Sequence, residues 1–419
     1  MSFLSVGITH DKAPLDLLER VTIPEDEFGK VLGALLANAN IQEAVVVSTC
    51  LRTEVYAVID RFHGAVDEIT ATLATHRELP ADELTPNLTI QFDRGVANHL
   101  FHVASGLKSV VPGEFEVLGQ LRRSLERAEE EHAVGPELSE LFHRAIGAGR
   151  RVRSETAIAR GTTSFAQATV DLVRVELGET LSAATVAVVG AGQLAEGIVK
   201  GLSSLKDGPQ SILLVNRTED NARAVADAVS DERIAVHEWN TLRSVIADAH
   251  ATIFAAEVTE PLVSGDDLGE GSTLLIDLGM PRCVDVSVDA KPGVRRLDIA
   301  HLETVVQATL AERHAELDAA EGIVALEIDK YLEDRRSRGA AAIVSEFREI
   351  LESIRVSEIE RRSSDLADLT PDQRERVESL TRSLLAKIAH TPTQALKDAA
   401  GTDRGLRLTE ALRNLFNLG

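Results

Sequence analysis

Thr185-Val-Ala-Val-Val-Gly-Ala-Gly-Gln-Leu-Ala195 decides the fold of this chain. An apolar strand-like run leads into G-x-G-x-x-A, and the pattern then turns helical. In this arrangement Gly190 permits a tight turn, Gly192 lets the backbone approach a pyrophosphate, and Ala195 lets the helix pack close to the strand. The helix N-terminus offers unpaired N–H groups and a positive dipole to phosphates, so Ala191, Gln193 and Leu194 complete the expected cradle. The next strand ends in Leu214-Val215-Asn216-Arg217-Thr218. A site for NAD usually places an acid there to hold the ribose 2′-hydroxyl. Asn216, Arg217 and Thr218 stand there instead, and arginine can pair bidentately with a 2′-phosphate, which favours NADPH.

Working outward, strand-like runs at 185–189, 211–215, 251–255 and 273–277 alternate with helical stretches. Alternation of this kind predicts a parallel sheet with helices on both faces. Upstream, the residues from Ser5 read as a first strand, 14–20 and 25–37 as helices, and 44–48 and 53–59 as β-rich runs. Thr49, Cys50, Leu51 and Arg52 separate the last two, predicting an exposed four-residue turn. From 94 to about 160 the pattern is mostly helical, making this half an α+β domain.

Downstream of Pro292 no proline occurs until Pro371. Ile343, Phe347, Ile350, Leu351 and Ile354 recur at helical spacing, predicting one long helix or two broken near Gly339. Fifty continuous residues would span roughly 75 Å, and so long a helix needs a partner domain or subunit. Thr370, Pro371 and Gln373 form a capping box for a new helix. Val377, Leu380, Leu384 and Ile388 line one face of it, and Leu408, Leu412, Leu415 and Phe416 form another apolar stripe. These stripes predict a dimerisation module. The expected fold is multidomain α/β: an α+β catalytic domain at 1–160, a Rossmann-type NADP-binding domain at 161–300, a long spinal helix at 301–365 and a helical dimerisation domain at 366–419.

Hydrophobic residues at 44 % and charged residues at 26 % suit a globular protein with proper cores. The net charge of -23 disfavours non-specific adhesion to nucleic acid and argues against DNA as a partner. Local basic patches still permit phosphate contacts; the densest is Arg144, Arg150, Arg151, Arg153 and Arg160. No apolar run is long enough to cross a bilayer, and the N-terminus does not read as a signal peptide. With two cysteines, Cys50 and Cys283, there is no disulfide framework, and a reducing cytoplasm is expected. No metal-binding spacing, P-loop or G-x-S-x-G is present.

The residues leave one candidate chemistry. An exposed Cys50 beside the cation of Arg52 is expected to have a lowered pKa and to react as thiolate. Combined with a reductive cofactor, it would attack an activated acyl carbon and form a thioester that hydride reduces to an aldehyde. His99 could move a proton, although on sequence alone a structural histidine is the commoner reading. Cys283 reads as structural.

At these residues the chain resembles the glutamyl-tRNA reductases over nearly its whole length. Ser48-Thr-Cys-Leu-Arg-Thr-Glu-Val-Tyr56 is similar to the family's S-T-C-N-R-x-E-x-Y. The stretch from Val103 to Glu114, followed by Leu118-Gly-Gln120, resembles its A-S-G-L-D-S-x-V-x-G-E-x-Q-I-L-G-Q. The resemblance implies a V-shaped homodimer that reduces glutamyl-tRNA to glutamate-1-semialdehyde with NADPH, the committed step of tetrapyrrole (porphyrin) synthesis. It implies Cys50 as nucleophile and His99 as a histidine important for activity. Thr49, Leu51, Arg52, Ser109, Glu114, Phe115, Glu116 and Gln120 fall at its substrate-contacting positions, with Arg52 suited to a carboxylate and Glu114 to an ammonium group. A docking glutamate-1-semialdehyde aminomutase is implied as partner. Leu51, Lys108, Pro112, Glu116 and Glu257 depart from the family pattern. Two other readings stay open: an NADP-linked oxidoreductase of a small acid, and a non-catalytic member with a substituted pocket.

Overall fold

The computed structural model describes residues 2–114, 116–156, 158, 165–269, 271, 273–302, 314–399 and 402–418; Phe115 and Arg160 lie outside them. The chain divides into two compact units, Met1–Val324 and Ala325–Gly419.

The first unit opens with β1 (Ser2–Thr9), α1 (Leu15–Val21), α2 (Phe28–Leu36), β2 (Ile41–Thr49), β3 (Arg52–Ile59), α3 (Phe62–His76), α4 (Ala81–Leu84) and β4 (Leu88–Phe92). These strands form an antiparallel sheet in the order β2-β3-β1-β4. Val45, Val46, Val47 and Val55 are almost wholly buried, as their unbroken apolar runs require. Edge strand β4 escaped the sequence reading because Thr89 and Gln91 interrupt it and because Ile90 and Phe92 stay exposed. The turn after β2 is narrower than expected. Thr49 and Arg52 pair in the ladder, so only Cys50 and Leu51 form the hairpin tip. Three helices follow: α5 (Arg94–Ala104), α6 (Glu116–Glu130) and α7 (Pro136–Glu155).

After α8 (Phe165–Leu177) come β5 (Thr185–Val189), α9 (Gln193–Ser204), β6 (Ser211–Val215), α10 (Glu219–Val229), β7 (Ile234–His237), α11 (Leu242–Asp248), β8 (Ala251–Phe254), β9 (Thr273–Asp277) and β10 (Val294–Asp298). All six strands are parallel, in the order β10-β9-β8-β5-β6-β7. That is the Rossmann order, with its switch point between β5 and β8. Alternate residues feed opposite faces. Val186, Val188, Ile212 and Leu214 join one apolar cluster. Ala187, Val189, Val215 and Phe254 join another. Strands β7 and β10 were not anticipated. Each is a half-exposed outer strand of four or five residues, with too weak an apolar signal to be read alone.

Helix α12 (His314–Arg361) runs unbroken for 48 residues, so no break occurs at Gly339. In the second unit α13 (Pro371–Asp398) starts at the expected capping box, with Thr370 Oγ1 accepting from Gln373 N–H. Helix α14 (Asp403–Phe416) follows. Ile343, Val344, Phe347, Leu351, Ala389, Leu396 and Leu412 form the unit's core. Leu380, Leu384 and Ile388 of α13 remain 61, 52 and 59 % exposed.

Candidate active site

Strand β3 places Arg52, Glu54 and Tyr56 on one face, because side chains alternate along a strand. Arg52 is buried, and its Nη2 donates to Lys108 O at 2.5 Å. Its Nη1 lies 3.8 Å from Glu54 Oε1 and is buried without a hydrogen-bond partner. Glu54 Oε1 accepts from His99 Nε2 at 2.6 Å, and its Oε2 accepts from the Tyr56 hydroxyl at 2.7 Å. Burial alone would raise the Glu54 pKa. The charges of His99 and Arg52, with the His99 and Tyr56 hydrogen bonds, overcome it and hold the carboxyl at about 2. His99, carried by α5, is thereby oriented through Glu54. Glu54 and Tyr56 stood inside the quoted motif without a role. Their signal was the polar side chain at every second position of an otherwise apolar strand.

The hairpin tip corrects one expectation. Cys50 is half-buried rather than exposed. Burial, followed by the charges of Glu114 and Glu116, pushes its thiol up to about 12, and Arg52 pulls the other way too weakly to matter. The thiol is therefore protonated at neutral pH in the ligand-free chain; sequence adjacency to Arg52 misled because that guanidinium is committed to Lys108 and Glu54. Leu51 is buried in the apolar cluster that also holds Val110, Val111, Val186 and Val188.

Residues 105–114 form a loop closed by Gly113 N–H to Gly106 O at 3.1 Å. It carries Ser109, which is buried, and Glu114, whose Oε2 is buried and unpartnered. Burial raises the Glu114 carboxyl to about 7, opposed by Ser109 and Arg52 and reinforced by Glu116. Glu116 is exposed at the start of α6.

A cleft of about 670 Å³ joins the hairpin to the Rossmann sheet. Thr49, Cys50 and Gln120 line it on one side, and Arg217, Glu257 and Met280 on the other. His99, Leu51, Arg52, Ser109, Glu114 and Glu116 are not among its lining residues. Beside it, Arg282 clasps Glu19 of α1: Nε lies 3.0 Å from Oε2, Nη2 2.9 Å from Oε2, and the backbone N–H 3.0 Å from Oε1. Cys283 is fully buried and donates to Ala256 O at 3.3 Å, which fits the structural role expected of it.

The glycine loop fits a dinucleotide. Gly190 has φ +121°, and a Cβ there would stand 2.3 Å from Ala255 O, so only glycine can make this turn. At Gly192, the N-cap of α9, an added Cβ would meet nothing within 4 Å. Open space therefore faces the loop where the pyrophosphate would approach the N–H groups of Gln193 and Leu194. Ala191 stands between the two glycines, and Ala195 is fully buried beneath the loop. At the end of β6, Asn216 Nδ2 donates to Thr218 O at 2.8 Å, and Thr218 is the N-cap of α10. The Arg217 guanidinium lies over the Trp239 ring, 5.5 Å from its centroid. Among the described residues no helix is long and apolar enough to cross a membrane, and no cluster of side chains suits a metal ion.

Comparison with known proteins agrees with this architecture. Residues 6–156 match the family model for the glutamyl-tRNAGlu reductase N-terminal domain, residues 319–418 that for its dimerisation domain, and residues 171–305 that for shikimate / quinate 5-dehydrogenase. A glutamyl-tRNA reductase of Synechococcus sp. (strain JA-3-3Ab) is 34 % identical, covering 99 % of this chain and 96 % of that protein. One from Thermosynechococcus vestitus is 32 % identical, covering 100 % and 99 %. Among solved structures, glutamyl-tRNA reductase from Methanopyrus kandleri is 27 % identical, covers 99 % of both chains and superposes with a TM-score of 0.53. With this identity sustained from end to end on a Rossmann sheet facing a cysteine hairpin, the chain belongs to the glutamyl-tRNA reductase family.

Proposed function

We propose that this protein reduces glutamyl-tRNA to glutamate-1-semialdehyde with NADPH, by way of a thioester on Cys50. One observation carries the reading: a single cleft holds Cys50 and Thr49 opposite Arg217 and Glu257, which lie beyond the C-terminal ends of the inner strands β6 and β8 of the nucleotide-binding sheet. Cys50 Sγ, once deprotonated, attacks the aminoacyl ester carbon, and the tRNA 3′-oxygen leaves and takes up a proton. The Gly190–Gly192 turn would hold the pyrophosphate of NADPH, which when bound would supply the hydride for reduction of the thioester carbonyl on Cys50. Collapse of the hemithioacetal returns the thiol and releases the aldehyde. The ammonium group of the glutamyl moiety, placed near Glu114, offsets the carboxylate charges that add to burial in holding the free thiol at about 12. Substrate binding thereby activates the nucleophile. Glu54 keeps His99 fixed for proton transfer, and Arg217 selects NADPH through the 2′-phosphate.

The working form is a homodimer that buries the exposed Leu380, Leu384 and Ile388 stripe of α13. The setting is cytoplasmic, and the labile aldehyde passes to an aminomutase docked on the enzyme. The test is a purified-protein assay with charged tRNA, comparing NADPH with NADH. Aldehyde formation with NADPH, absent in Cys50→Ser, is expected; undiminished turnover by Cys50→Ser would refute the thioester route.

A further inference from the structure

Trp239, the single tryptophan of the chain, stands two residues beyond the end of β7. Strand β7 pairs in parallel with β6, with Val215 opposite His237, so Trp239 and Arg217 leave the sheet side by side beyond the same ends of neighbouring strands. There the Arg217 guanidinium rests over the indole face, 5.5 Å from its centroid. Other arginines of this region are committed to acids: Arg223 to Glu219, Arg233 to Asp231, and Arg282 to Glu19. Arg217 makes no ion pair or hydrogen bond among the described residues. A guanidinium held against a ring face is restrained in orientation while its N–H donors still point outward in its own plane. A carboxylate partner would have occupied those donors and cancelled the charge. Stacking on Trp239 does neither, so the fork stays charged and available to two phosphate oxygens.

We propose that Trp239 is a specificity-determining positioning residue: it pre-orients Arg217 for the 2′-phosphate of NADPH and contributes to discrimination against NADH without touching the phosphate. This rests on the NADPH reading given above. It sets an expectation that a purely structural tryptophan would not meet. Loss of the indole should weaken NADPH and leave NADH unchanged, because only NADPH carries the group that Arg217 recognises.

The experiment is calorimetric titration of the full-length protein, the Trp239→Leu variant and the Trp239→Phe variant with NADPH and with NADH. Wild type is expected to favour NADPH. Trp239→Leu is expected to bind NADPH about five- to tenfold more weakly with NADH affinity unchanged, and Trp239→Phe to fall between them. Equal weakening of both nucleotides, or an unchanged preference in Trp239→Leu and Trp239→Phe, overturns the role of Trp239 and leaves the cofactor reading intact. A wild type that binds NADH as tightly as NADPH overturns the cofactor reading itself, and the inference with it. Wild-type indole emission supplies a second readout: quenching that saturates with NADPH and is lost in Arg217→Ala supports the stacked pair, whereas unchanged emission on saturation opposes it.

Discussion

Replacing Glu114 with glutamine should make Cys50 more reactive, although the carboxylate is absent from the lining of the cleft. The thiol stands at about 12 against an ordinary 9.0, with burial as the first cause and the Glu114 charge as the second. At pH 8 an ordinary thiol of that kind is about one-tenth thiolate, whereas at a pKa of 12 the fraction is about one in ten thousand. Alkylation by iodoacetamide should therefore run about a thousandfold slower than for a free thiol, and its rate should keep rising with pH through 10 without levelling. Glu114 itself titrates at about 7, so its charge is present at pH 8 and largely gone at pH 6. Removing one charge at close range in a partly buried site is worth roughly a ten- to hundredfold change in thiolate fraction. Glu114→Gln is thus expected to accelerate alkylation at pH 8 by about that factor and to change little at pH 6. Intact-mass kinetics with peptide mapping reads the rate at Cys50 separately from fully buried Cys283. A wild-type plateau by pH 9, or no acceleration at pH 8 in Glu114→Gln, would show that the thiol is not suppressed as the structure indicates.

Four further outcomes follow from the same geometry. Glu54 is held at about 2 against an ordinary 4.5, so its contribution is complete above pH 4.5 and is lost as pH falls towards 2; urea titrations from pH 6 to 3 should show a decline of about 2 kcal/mol that Glu54→Gln lacks. Gly190→Ala places a Cβ against Ala255 O at a φ of +121° and is expected to destabilise by more than about 2 kcal/mol in denaturant melts. Gly192→Ala, whose Cβ meets nothing within 4 Å, should keep its melting curve and lose nucleotide binding, so a variant that binds normally would refute the pyrophosphate cradle. Leu384→Glu puts a charge into the exposed stripe of α13 and should shift the protein to monomer by light scattering; an unchanged dimer mass would place the interface elsewhere.

The Rossmann half was readable because its signals are local. A five-residue apolar strand, two glycines and an alanine at fixed spacing define the turn, and Asn216-Arg217-Thr218 defines the adjoining edge. The capping box at Thr370 was equally legible, since all of its atoms lie within four residues. The environment of Cys50 was not. Its pKa depends on burial and on Glu114 and Glu116, more than sixty positions away, whereas the sequence showed only the cation two residues on. The Glu54–His99 pair and the Arg282–Glu19 clasp join residues 45 and 263 positions apart, which no periodicity encodes. Strands β4, β7 and β10 lie at or beside sheet edges, where half-exposed positions dilute the alternation that marks an inner strand.

Leu51 gives the hairpin tip two different allegiances. Cys50 lines the cleft and packs only against the margin of the apolar body that underlies β5 and β6, while its neighbour is buried within that body. The reactive sulfur is thus moored, one residue of backbone away, to the floor of the nucleotide fold. An asparagine at that point would have to trade this mooring for hydrogen bonds. A leucine instead makes the distance between sulfur and sheet a property of hydrophobic packing, so that enlarging or hollowing the floor beneath the nucleotide would be felt at the nucleophile.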